Sequence, residues 1–125
     1  MLPTYQNFDA RFPGLEFDWF ALDAEGRIGL FSSAGFGPVP ASVQLHFQEH
    51  DRAASHIDWR VLTMEQACGE AGLFLFDWKH WQGPYLKLAQ PLAEMNTAFR
   101  QQIFQIPELI VFAVSFAAVT GIEDS

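Results

Sequence analysis

Residues 19–40 read WFALDAEGRIGLFSSAGFGPVP, from Trp19 to Pro40. Phe17 to Leu22 alternates loosely and carries three aromatic residues, which suits a pleated, half-buried strand. Asp23-Ala24-Glu25-Gly26 has the chemistry of a tight turn. The Asp side chain can bond its own downstream backbone, and Gly26 can take a positive φ. Arg27 to Ser32 then reads as the return strand of a hairpin. Ser33 to Pro40 follows as a stiff loop, because Pro38 and Pro40 cannot pair in the centre of a sheet. Gly35 and Gly37 permit close backbone approach. However, no Lys-Ser/Thr follows them and GxGxxG is absent, so the loop is not of phosphate-binding type.

Outside this stretch, residues 1 to 16 read as irregular, with Pro3, Pro13 and Gly14 as breakers. Ser42 is placed to cap a helix running to about Ala54. Thr63-Met64-Glu65-Gln66 has capping-box spacing, so a short helix should follow and stop at Gly72. Leu73 to Trp78, LFLFDW, is the clearest strand. Lys79 to Pro84 is a turn, and Tyr85 to Ala89 its antiparallel partner. Pro91 opens a segment to about Gln102 with room for a third helix. Glu108 to Phe116 is apolar at nearly every position, which implies a central strand covered on both faces. The expected fold is α+β: one domain over residues 1–125, an antiparallel sheet of about five strands, and two or three helices packed on one side.

Composition narrows the function classes. The chain has 125 residues, half of them hydrophobic, with 13 Phe. That is enough to bury a core without staples. Its formal net charge is -8, and its 7 basic residues are never adjacent. Nucleic acid needs clustered Lys and Arg, so it is an unsuitable partner. Such a surface instead serves solubility or a basic protein partner. The single Cys68 forbids an intrachain disulfide and suits a reducing compartment. No signal peptide is visible at the start, and the apolar run from Leu109 to Val114 is too short to span a bilayer. A cytoplasmic protein without membrane partners is expected.

Few residues carry chemistry. His46-Phe47-Gln48-Glu49-His50 matches H-x-x-E-H, the inverted zinc-peptidase signature. On a helix, residues i and i+4 share a face, so both imidazoles could reach one Zn²⁺, with Glu49 as base on its water. A third ligand has no marked candidate; Glu65, Glu70 and Glu94 are merely present. The simpler reading makes His46 and His50 surface histidines, with no metal and no cofactor. His56 and His80 are isolated. Cys68 sits at an apolar-compatible helical position and reads as a small buried hydrophobe. Asp77, Trp78, Trp81 and Tyr85 surround the turn at 79 to 84. A carboxylate beside amphipathic rings is the composition of an interface centre. The scaffold alternative puts Trp78 and Tyr85 in the core and leaves only Trp81 outside.

Two segments carry a resemblance. Trp19, Ala21, Asp23, Gly26, Ile28, Gly29, Phe31, Ser33, Gly35, Gly37 and Pro40 form one pattern. Gly72, Leu73, Phe74, Phe76, Asp77, Tyr85 and Pro91 form the second. Together they resemble a class of small, acidic, uncharacterised bacterial proteins, some of them immunity-type proteins that neutralise a toxin by binding it. The resemblance implies a shared scaffold and a non-enzymatic protein-binding module directed at a basic partner. A small-ligand domain with an aromatic pocket, and a zinc-dependent hydrolase at His46, Glu49 and His50, are the alternatives.

Overall fold

The computed structural model describes residues 4–5, 8–11, 18–34, 37–60, 63–80 and 83–124. The hairpin forms as expected. β3 (Asp18–Leu22) and β4 (Ile28–Ser32) pair antiparallel, with Leu22 opposite Ile28 and Asp18 opposite Ser32. Asp23 builds the turn: its Oδ1 accepts the N–H groups of Glu25 (2.9 Å) and Arg27 (2.8 Å). Gly26 takes φ 79°, which a β-branched residue would hold only with strain.

Before the hairpin, β1 (Thr4–Tyr5) and β2 (Phe8–Arg11) replace the irregular start that the breakers suggested. After it come β5 (Pro38–Pro40), α1 (Ala41–Leu45), α2 (Phe47–Ala54) and α3 (Met64–Glu70). Then follow β6 (Phe74–Asp77), β7 (Tyr85–Ala89), α4 (Thr97–Phe104), β8 (Ile110–Val111) and β9 (Gly121–Asp124). The main sheet has the order β1-β9-β7-β6-β4-β3-β8, and β2 and β5 make a separate two-stranded ribbon.

The fold is α+β, but the sheet is mixed rather than antiparallel. β4 pairs parallel with β6, β3 with β8, and β1 with β9. A parallel neighbour demands a long crossover, and residues 33–73, which hold α1 to α3, supply it between β4 and β6. Seven strands share the main sheet and four helices are present among the described residues, both more than expected.

Two cores result. On one face Phe20, Ile28, Leu30 and Leu75 meet Ala53 and Ala54 of α2, Ala67 and Cys68 of α3, and Phe99 and Ile103 of α4. On the other, Trp19, Phe31, Phe74, Phe76 and Tyr85 meet Val39, Val43, Phe112 and Phe116. So α2, α3 and α4 pack on one side, while α1 contributes to the opposite core.

Two local expectations need correction. The helix from Ser42 to Ala54 breaks at His46 into α1 and α2. Ser42 is not its cap: Pro40 holds that position, and the buried Ser42 Oγ has no hydrogen-bond partner among the described residues. The segment opened by Pro91 does hold a helix, α4, which starts at Thr97 because the Asn96 side chain accepts the Ala98 and Phe99 N–H groups there, and which runs on to Phe104.

The apolar run from Glu108 to Phe116 is not a central strand. Only Ile110 and Val111 pair, at the sheet edge, and Glu108 before them has φ 55°. Its burial is one-sided: Ile110, Phe112 and Phe116 go inward, while Val111 and Ala113 face out. The strand covered on both faces is instead β4, which lies between β6 and β3 with every residue buried. Thr63, in contrast, caps α3 as its spacing implies, its Oγ1 accepting the Gln66 N–H at 3.0 Å. No helix among the described residues is long and apolar enough to cross a membrane.

Candidate functional site

The break at His46 creates an elbow. α1 starts directly after the buried β5 and turns Val43 into the aromatic core. On so short a helix the other side has nothing to pack on, and Leu45 is left 73% exposed. α2 then buries His50, Ala53 and Ala54, at i, i+3 and i+4, against the sheet. Phe47, at its start, stays 49% exposed. Two bulky apolar residues therefore stand at the surface within three positions.

Three carboxylates lie on the same elbow, with Arg52 further along α2. Glu49 and the exposed Asp51 lie on α2. Glu108 reaches the elbow from the loop before β8, its Oε2 3.5 Å from His46 Nε2. Glu49 Oε2 is 3.9 Å from the other imidazole nitrogen, Nδ1. Ala41, Ser42, Gln44, Leu45 and Glu108 line an open cleft of about 400 Å³ here. Gln44 is fixed in its wall by donating to the Val39 carbonyl at 3.2 Å.

The H-x-x-E-H histidines lie in different surroundings. His46 sits between the helices with its side chain partly exposed. His50 is buried, and its Nδ1 accepts the Phe20 N–H at 3.0 Å while its ring stacks on Phe20. Burial pushes its pKa down to about 4; Glu49 opposes this shift and His46 adds to it. One nitrogen of His50 thus serves the sheet. No group of three His, Cys, Asp or Glu among the described residues is arranged to hold a metal ion.

Two members of the aromatic group, Trp78 and Tyr85, lie in the core. Trp78 is 2% exposed and Tyr85 is fully buried. The Tyr85 hydroxyl donates to the Pro38 carbonyl at 2.8 Å and accepts from Trp19 Nε1 at 3.3 Å. Its ring meets Trp78 edge-on at 5.0 Å. These two rings hold the 37–40 segment against the sheet and present nothing to a partner. Asp77, half-buried, ends β6 opposite Ser32 and Leu86. Trp81 lies outside the described residues.

Cys68 is buried, and its thiol is pushed up to about 12, first by burial and then by Asp18 and Glu65, so it carries no thiolate. His56 is exposed and stacks near Phe99; His80 is exposed. Leu45, Phe47 and Glu108 were not legible as a surface. A continuous helix from Ser42 puts Phe47 on the same stripe as Val43, and only the break at His46 separates them.

Comparison with protein-family models, with curated proteins and with solved structures finds no match for this chain.

Proposed function

We propose that this chain is a non-enzymatic protein-binding module, of the immunity type that its sequence resembles, acting in a reducing compartment on a basic protein partner. The elbow is its binding surface. The observation that carries this reading is the pair Leu45 and Phe47, exposed beside Glu49, Asp51 and Glu108. Apolar anchors within a charged rim are how interfaces concentrate affinity, and the rim selects the partner's sign. The excess of 15 acidic over 7 basic residues acts at longer range, steering a cationic partner inward.

The test is capture on immobilised protein followed by mass spectrometry, then kinetics with the captured partner. A basic protein should be retained by the native chain and lost with Leu45→Glu/Phe47→Ser, which alters only exposed positions. Association should slow markedly from low to physiological ionic strength, as screening removes the steering. Retention undiminished by the double variant, or an association rate indifferent to salt, defeats the reading.

A further inference from the structure

A second cleft lies away from the elbow, where β4 and β6 begin and where the chain passes from β7 to α4. Its volume is about 540 Å³, within the range of small-molecule sites. Its charge runs against the rest of the molecule. Arg27 and Arg100 both line it, and the chain has only 7 basic residues. A third cation stands at the wall. Lys87 Nζ lies 5.9 Å from the centre of the Phe74 ring and donates to the carbonyls of Phe116 (2.9 Å) and Ala117 (3.2 Å); Phe74 and Ala117 are lining residues.

Neither Arg100 nor Lys87 is in an ion pair among the described residues. The Arg100 guanidinium rests 4.8 Å over the Phe104 ring, and Arg27 reaches Glu25 at only 3.6 Å. Glu94 is the single carboxylate in the lining. The other half of the cleft is apolar, with Pro91 and Met95 at its surface and the edge of the core residue Phe74 beneath them. Gly72 keeps that wall close. It has φ 87°, and a Cβ there would stand 2.8 Å from Met95 N and 2.9 Å from Met95 Cα.

We propose that this cleft binds a small amphipathic carboxylate, its head on Arg27 and Arg100 and its apolar body along Phe74, Pro91 and Met95. Guanidinium groups match a planar carboxylate through paired N–H donors. The apolar half gains by covering a hydrocarbon chain or ring, which a bare inorganic anion would leave uncovered. Glu94 and the acidic surroundings reject a polyanion.

Decanoate and decyltrimethylammonium, equal in chain and opposite in head charge, make the test by calorimetric titration below their micellar concentrations. Decanoate should bind saturably at one per chain, and the cation should not. Arg27→Met/Arg100→Met should weaken decanoate by about tenfold or more with the melting curve unchanged. Should that variant not fold, the exposed Arg100→Met alone should still show a severalfold loss. No saturable decanoate binding, equal binding of the two heads, or wild-type affinity in the folded variants overturns the proposal. The site is independent of the elbow, so Leu45→Glu/Phe47→Ser should bind decanoate as the native chain does.

Discussion

On one face of the sheet, Phe31 stacks on Trp19 at 4.5 Å and on Phe76 at 4.7 Å, with Phe112, Phe116 and Tyr85 around it. On the other, Phe20, Leu30 and Leu75 meet helices through Ala53, Ala67 and Cys68. The helix face is closed by segments that satisfy their own backbones, and small residues let them come near. Apart from Val39 of β5 and Val43 of α1, the aromatic face is closed by irregular chain, whose backbone polar groups need partners from elsewhere. Asp23 Oδ2 accepts the Phe116 N–H at 2.9 Å, the Ala24 N–H reaches the Val114 carbonyl, and Tyr85 holds Pro38. Large rings let coil serve as a cover, provided a few side chains tether it. The aromatic face should then suffer most from loss of ring volume or of a single polar atom. The helix face should respond to caps and to the charge state of its one buried histidine.

Phe31→Ala removes the ring at the centre of the stack and should cost about 4 kcal/mol in denaturant unfolding. A loss under about 1 kcal/mol would mean the coil cover collapses into the space, and the contrast between the faces would fail.

His50 sharpens the other side. Its folded pKa of about 4 lies below the ordinary 6.5. Between these values the unfolded chain takes up a proton that the folded one refuses. The neutral-histidine contribution is complete above pH 6.5 and drains as pH falls toward 4, by about 3 kcal/mol at most. Unfolding free energies across this range should fall more steeply in the native chain than in His50→Gln. Parallel profiles would show that the Phe20–His50 bond does not set the acid limit.

Tyr85→Phe keeps the ring and removes only the hydroxyl that joins Pro38 to Trp19. About 1–2 kcal/mol should be lost, with protection of the amides in 37–43 reduced in hydrogen exchange. Thr63→Ala, the cap of α3, should cost about 1 kcal/mol and leave the 37–43 amides as they were. If both variants loosen the same amides, the two faces are one cooperative unit and not two.

What was legible followed from local chemistry. The Asp23–Gly26 turn, the Thr63 cap and the pairing of β6 with β7 each rest on residues near in sequence, and each is found in place. The parallel pairing of β4 with β6 was not legible, because alternation says which face a side chain takes and nothing about the adjacent strand. Residues 109–116 misled because apolar content measures coverage, whereas strand length depends on backbone geometry; Glu108 at φ 55° and the Asp23–Phe116 bond confine pairing to two residues. The surface at Leu45 and Phe47 exists only because the helix breaks at His46, where the imidazole meets Glu108 from 62 positions away in sequence. The ring pair Trp78 and Tyr85 was visible as chemistry, but its placement inside depends on β5 and Trp19, which local sequence does not bring near.

The brevity of β8 bears on how the molecule behaves in a crowded solution. The sheet ends there after two residues, with Val111 57% exposed and turning chain on either side. At the opposite margin β1 is equally short. Among the described residues, a foreign strand arriving at either margin meets a two-residue strand and little ladder to extend. At these described margins the molecule carries the fully buried, strongly apolar β4 inside the sheet while offering little template for edge-to-edge aggregation.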